Sequence, residues 1–391
     1  MTIAIVMCMA AFAATAMAAD EESWAERISF TGYLDTRVQF YTWTPDVDES
    51  VAEAISSSDI KVFEAAVAPH VDINDYVTAD AVFYYVDWSN GDHTGRTESL
   101  TIDEFYLITK YAFNKGDGGE IWAKMGKYYP PVGDFTSWGP GYTRVQDLFW
   151  TRASGLGVGY THKFATVSAH VFNGNFDTVQ DDNGAADPGD DTIGDVAAAL
   201  AVYPLANLDD QVLEIGGYYL SDATETLRGV GGLLMAQDIA DTPNDATDDV
   251  VLYDANVPAY GAYANGVFAV NDMVAIGVAG EYATTGEFDE LEYVDAAGEA
   301  TAISATHGEL ALMFDKKRVQ VGGKYAGVSG LDWLGTAGLD PEFEPTTYTQ
   351  FGGYVGTDYI DGLHLAVQFL TGSDSDSNTD SLAELQAKVV F

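Results

Sequence analysis

The closing stretch, Ser381-Leu-Ala-Glu-Leu-Gln-Ala-Lys-Val-Val-Phe391, limits what this chain can fold into more than any other segment. Leu385, Ala387, Val389 and Phe391 fall on one face, and Glu384, Gln386 and Lys388 on the other, which is the period of a β-strand. At the edge of an open sheet such a strand would expose a row of unpaired backbone groups. Pairing it back onto a first strand removes the edge. Residues 28–40 supply that partner: Ile28, Phe30, Gly32, Leu34, Val38 and Phe40 alternate with Ser29, Thr31, Tyr33, Asp35, Arg37 and Gln39. The competing reading, an amphipathic strand of a soluble β-protein, is decided by the rest of the chain.

Strand-length alternating segments recur from end to end, about sixteen in all, joined in turn by short and long connections. The short ones include Asp72–Asp75, Asn114–Gly119, Asn271-Asp272, Asp315–Arg318 and Asp361-Gly362. The long ones include Thr44–Asp59, Ser89–Glu98, Pro130–Ala153, Asn173–Thr192, Ser221–Ala255, Gly286–Ala302 and Thr371–Asp380. An even strand number puts both chain ends on one rim, every short turn on that rim and every long loop on the other. Tandem sandwiches or a β-helix would not produce this alternation. The expected fold class is therefore all-β: one transmembrane antiparallel β-barrel. Beyond the N-terminus no run of about 18 apolar residues occurs, which excludes helical spans. The aromatic content (Tyr 23, Phe 19, Trp 7) and Gly 40 fit aromatic girdles and a lumen that needs room.

Residues 1–18 read as a secretory signal, with an apolar run from Ile3 to Met17 and an Ala16-Met-Ala18 cleavage site, leaving 19–391 as the barrel. No Lys or Arg precedes that run, a departure from the usual pattern. Cys8, the single cysteine, lies inside it, so the mature chain would hold no disulfide and no thiolate metal site. A secreted barrel of this kind belongs in the outer membrane of a Gram-negative bacterium, short turns periplasmic and long loops outside. The formal net charge of -44 excludes nucleic acid as a partner. The expected partners are outer-membrane lipid and lipopolysaccharide, and small solutes; the residues leave homo-oligomerisation open.

One stretch narrows the family. Gly126-Lys-Tyr-Tyr-Pro-Pro-Val-Gly-Asp-Phe135 ends a strand and opens into the long connection; it follows the acidic Asp103-Glu104 strand and precedes a hairpin ending in Val171-Phe-Asn-Gly174. Over roughly residues 60–176 this arrangement resembles siderophore porins of the legiobactin-uptake type, and the remainder resembles outer-membrane barrels in general. Phosphate-selective and general porins carry similar strand ends. The resemblance implies a passive porin that passes ferric siderophores, and a C-terminal aromatic, here Phe391, that forms part of the signal read by the barrel-assembly machinery.

Strand parity gives an inventory of the lumen wall: the acids Asp35, Glu64, Asp80, Glu104, Glu214, Glu281, Glu309 and Glu384, and the bases Arg37, Lys110, Lys124, Lys163, Lys324 and Lys388. These nearly balance, so the surplus acid must sit in the outer loops, as a funnel for cations or as a hydrated, divalent-ion-binding rim. If the Pro130–Ala153 loop folds into the lumen, Lys124, Arg144 and Arg152 would face Asp134 and Asp147 across a constriction. No catalytic motif is present: H-E-x-x-H, G-x-S-x-G, G-x-x-x-x-G-K and C-x-x-C-H are all missing. An enzyme would have to use a lumenal His–acid pair such as His307 and Glu309, which has no nucleophile beside it; a third reading is a loop-borne adhesin or surface-layer anchor. No resident cofactor or protein-held metal is expected. Asp374-Ser-Asp-Ser-Asn378 opens like a calcium loop but lacks its glycine and closing glutamate, so a loop-bound Ca2+ and a solvated acidic turn both stand.

Overall fold

The computed structural model describes residues 24–44, 55–86, 99–112, 119–141, 143–173, 194–208, 211–223, 257–286, 302–330, 347–375 and 378–391. The proposed signal segment lies outside them. After a 3-10 turn at Trp24–Arg27 come β1 (Ile28–Thr44), β2 (Ile55–Asn74), β3 (Val77–Val86), β4 (Ser99–Ala112) and β5 (Glu120–Tyr128). A short helix, α1 (Arg144–Phe149), precedes β6 (Ala153–His162), β7 (Ala165–Asn173), β8 (Asp195–Val202) and β9 (Gln211–Leu220). The second half holds β10 (Ala259–Asn271), β11 (Val274–Thr285), β12 (Ser304–Phe314) and β13 (Val319–Ser329). It ends with β14 (Tyr348–Ile360), β15 (Leu363–Asp374) and β16 (Thr379–Val390). Each strand pairs antiparallel with its sequence neighbours, and β16 pairs with β1, closing a sixteen-stranded barrel.

Closure follows from the residues that predict it. β1 and β16 run in register from Tyr33↔Val390 to Thr44↔Thr379. At the end of the seam Gly32 N–H donates to the Phe391 carbonyl (2.8 Å) and Phe391 N–H returns a bond to Gly32 (3.0 Å). The Phe391 ring lies over Gly32, where a Cβ would stand 2.8 Å from ring carbon Cζ. Leu385, Val389 and Phe391 face outward, as their alternation requires.

Polarity is inverted relative to a water-soluble protein. Phe105, Met125, Leu310, Phe351 and Phe369 are exposed outside, while Asp35, Glu64, Glu281, Glu309 and Glu384 are buried inside. Such an apolar belt needs hydrocarbon around it, and a closed sheet leaves no lipid-exposed backbone. Single cysteines along Leu363–Phe369 should therefore alternate in reaction with a membrane-impermeant thiol reagent. Positions 364, 366 and 368 should label and 365, 367 and 369 should not, matching 2% exposure at Gln368 and 55% at Phe369. Uniform labelling would defeat the assignment.

Three sequence expectations shift. Lys163, placed on the wall by parity, sits with Phe164 in the two-residue turn between β6 and β7, because β6 stops at His162. Phe63, which parity would aim at lipid beside the inward Glu64, is the extra residue of a β-bulge where the register with β1 jumps between Asp35 and Thr36. Its ring instead lies 3.5 Å beneath the inward-facing Arg37 guanidinium. The β15–β16 connection is shorter than expected, since both strands extend: Asp374 accepts from the N–H and the side-chain amide of Asn378, both at 2.9 Å. The Asp374 carboxylate thus closes a turn, and among the described residues no group of three His, Cys, Asp or Glu is placed to hold a metal.

Candidate functional site

The site is the connection between β5 and β6, residues 129–152, which folds into the barrel. It is clamped at its base. Tyr129 OH donates to Asp103 Oδ2 (2.9 Å), Arg152 binds the other oxygen of the same carboxylate, and the Tyr129 and Trp150 rings stack at 4.6 Å. Parity on β4 would aim Asp103 at lipid, beside the inward Glu104. A bulge between Val82↔Glu104 and Phe83↔Ile102 leaves Asp103 unpaired in the register and turns it inward. A carboxylate at a lipid-facing position is costly enough that this conflict is itself the signal sequence reading could have used.

Beyond the base, the segment follows the inner wall strand by strand. Asn265 on β10 donates to Asp134 (2.5 Å). Glu281 on β11 accepts from the N–H groups of Asp134 (3.3 Å) and Phe135 (3.0 Å), and from Tyr218 OH (3.1 Å). Glu309 on β12 accepts from the N–H groups of Trp138 and Gly139, both at 3.0 Å. Lys324 on β13 donates to the Pro140 carbonyl (2.5 Å). Gly141, at φ 84°, then carries the chain past β15 and β1: a Cβ there would stand 3.7 Å from Gln368 Nε2 and 3.8 Å from Arg37 Nη1. The wall side chains thus meet the loop in the order in which the barrel presents their strands.

The return path is apolar. Thr143 caps α1, its hydroxyl accepting from Gln146 N–H (3.0 Å). Val145, Leu148 and Phe149 are buried against Phe172, Tyr218, Leu220 and a floor of Ala197, Ala259, Ala283 and Ala305. α1 packs on the inner faces of β11, β12 and β13, where the small inward Ala283 and Ala305 leave it room. Trp138 packs on Ala275, Ala311, Met313 and Tyr354.

The rest of the wall carries two further groups. At the seam, Arg37 Nη2 lies 2.8 Å from Asp35 and its Nη1 3.5 Å from Glu384. Gln386 donates to Asp35 (2.7 Å), while Gln368 and Gln39 donate to Glu384. On β3–β5, Lys124 Nζ stands 3.5 Å over the Tyr106 ring, 4.5 Å over that of Tyr128 and 4.0 Å from Glu104, with Tyr128 OH bonded to His170 (3.0 Å). Glu64 accepts from Tyr33 OH (2.9 Å), Glu214 from Tyr263 OH (2.9 Å), and Asp80 bonds His70 (2.6 Å). Lys388 lies over the Tyr33 ring at 4.1 Å, and Lys110 is exposed near the short-turn end of β4.

Of the five residues expected at a constriction, Lys124 is on the wall, Asp134 is held by Asn265 and Arg152 by Asp103. Arg144 and Asp147 lie on α1, and their side chains are outside the described residues. Glu281 and Glu309, expected on the lumen wall, serve as seats for the loop. That also bears on an enzymatic use of His307 and Glu309. They lie 3.4 Å apart and both are buried, and one oxygen of the Glu309 carboxylate is taken by two loop N–H groups.

A closed transmembrane barrel of sixteen strands with an infolded loop has the architecture of the bacterial porins, and the chain is an integral protein of the outer membrane. Solved structures with this fold include OprB of Pseudomonas putida, at 12% identity and TM-score 0.57, over 94% of this chain and 95% of that one. An anion-selective porin from Comamonas acidovorans aligns at 10% identity and TM-score 0.54, over 93% and 99%. OmpF of Salmonella typhi, in complex with daunomycin, aligns at 13% and 0.51, over 92% and 97%. The sequence matches no protein-family profile and no curated protein.

Proposed function

We propose that this chain is a passive, water-filled diffusion channel for small hydrophilic solutes, narrowed by residues 129–152 and entered through a cation-enriching mouth. The observation that carries this reading is the loop itself, held inside the barrel through four backbone N–H groups on two wall carboxylates. The charge distribution supports the mouth. The seven other connections on that rim (45–54, 87–98, 174–194, 221–258, 286–303, 330–347 and 375–378) hold 32 of the 61 acids and two of the 17 bases. Inside, most charges are held by an ion pair, a tyrosine hydroxyl, an aromatic ring or the loop, so net selectivity falls to the rim. Ferric siderophores are the finer solute class, suggested by the likeness of Gly126–Phe135 to siderophore porins. The acidic rim favours neutral or cationic complexes over polycarboxylate ones.

A planar-bilayer recording in a KCl gradient tests this. Rim acids act at long range and are screened, with a Debye length of about 10 Å at 0.1 M and about 3 Å at 1 M. The reversal potential should show cation preference in dilute KCl that weakens markedly toward 1 M. Neutralising Asp181, Asp182, Asp190 and Asp191 together should reduce it at low salt only. A barrel that does not conduct, or that prefers anions in dilute salt, would sink the reading.

A further inference from the structure

We propose that the turn between β12 and β13 is an anionic-phospholipid site, its cations holding headgroup phosphates of the periplasmic leaflet. The proposal rests on the outer-membrane placement above, not on conduction. Asp315, Lys316, Lys317 and Arg318 form the connection, closed by one bond from Arg318 N–H to the Asp315 carbonyl (3.2 Å). Asp315, Lys316 and Lys317 have φ of 47°, 56° and 72°. That left-handed region costs a non-glycine residue roughly 1–2 kcal/mol and is the ordinary place for glycine or asparagine. Here two of the three positions carry lysine and none carries glycine, so the cationic side chains stand against the backbone's preference.

Among the described residues those cations have nothing to pair with. Lys316, Lys317 and Arg318 are exposed, and their side chains meet no ionic or hydrogen-bonding partner among the described residues. On the adjoining hairpin, Asp358 N–H bonds the Arg318 carbonyl (2.8 Å), but its carboxylate is turned to His364 Nδ1 (2.6 Å). Asp315 and Asp361, the other acids of this part of the rim, form no ion pair with the three cations. In a chain with 17 bases against 61 acids, three consecutive unpaired cations make a local reversal of sign.

Depth selects the partner. β12 reaches the turn through Leu310, Leu312 and Phe314, all exposed on the lipid face, so Lys316 lies two residues past the apolar belt. Long basic side chains at that level keep their stems along the lipid and put their heads among phosphates. Four residues closed into a turn reach only a few ångströms beyond the strand ends (about 3.5 Å per residue even if extended). A polymer deeper in the periplasm is out of range; the phosphodiester layer is already there.

The test places the folded full-length barrel in nanodiscs of equimolar phosphatidylethanolamine and phosphatidylglycerol, re-extracts it in mild detergent and quantifies the retained lipid. The expected result is phosphatidylglycerol enrichment that falls roughly fivefold per cation removed, through Lys317→Gln to the triple variant Lys316→Gln, Lys317→Gln, Arg318→Gln. Two controls separate charge from backbone. Lys316→Gly with Lys317→Gly relieves the left-handed turn, so it should fold at least as well and still lose the enrichment. Lys316→Arg with Lys317→Arg should keep it. Equal enrichment in every variant, or loss in the arginine variant as well, overturns the proposal. So does cation-dependent co-sedimentation with peptidoglycan in place of phosphatidylglycerol enrichment.

Discussion

Glu281→Ala combined with Glu309→Ala should raise single-channel conductance in 1 M KCl severalfold and make it noisy. Four loop N–H groups, those of Asp134, Phe135, Trp138 and Gly139, lose their acceptors at once. An unsatisfied buried donor costs about 1–3 kcal/mol, so the seated tip loses on the order of several kcal/mol relative to a solvated one. The loop base stays, because the Asp103–Arg152 pair and the apolar packing of α1 are untouched. Conductance should therefore report tip release without loss of the fold. Glu281→Gln with Glu309→Gln keeps an acceptor oxygen at each site but removes the charge assistance, and should fall between. Wild-type conductance in the double alanine variant would show that residues 134–141 do not set the narrowest passage.

The second large effect is on closure. Gly32→Val should cut the yield of heat-modifiable, folded barrel severalfold. A Cβ at Gly32 stands 2.5 Å from the Ala66 carbonyl oxygen and 2.8–2.9 Å from the Phe391 ring. The ring could swing away, but the carbonyl belongs to the paired backbone of β2 and cannot move without breaking that ladder. Phe391→Ser should lower the yield by another route, removing the ring that covers Gly32 and, by the likeness to outer-membrane barrels, part of the assembly signal. Normal folded yields of both variants in the outer membrane would show that this corner of the seam is dispensable.

These two predictions also mark where the sequence is readable. Period-two alternation and the contrast of short and long connections recur along the whole chain, so the barrel is legible from that repetition and its closing pair from residues 28–40 and 381–391. Side-chain parity holds only while the register does. The bulges at Phe63 and Asp103 shift it by one residue, and nothing local announces them except a misfit: an acid where lipid should be. Parity alone puts Lys163 on the wall because a two-residue turn is invisible within an almost unbroken run of alternation. The function of Glu281 and Glu309 was beyond reach for a different reason. Their facing the lumen follows from parity, but what they face there comes from a segment about 140–170 positions earlier in the chain.

The way the loop is held has a consequence for how this channel could diversify. Glu281, Glu309 and Lys324 grip main-chain N–H and C=O groups, which every non-proline residue provides alike. Those bonds within residues 134–141 ask nothing of the side chains; side-chain contacts are added by Asp134 with Asn265, Ser137 with Glu309 and Trp138 on its apolar cluster. Substitutions that reshape the passage at a position such as Thr136 need not disturb the docking that holds it in place. The barrel behaves as a socket and the loop as an exchangeable insert, so solute preference can drift across descendants, or be redesigned, while the surrounding wall stays the same.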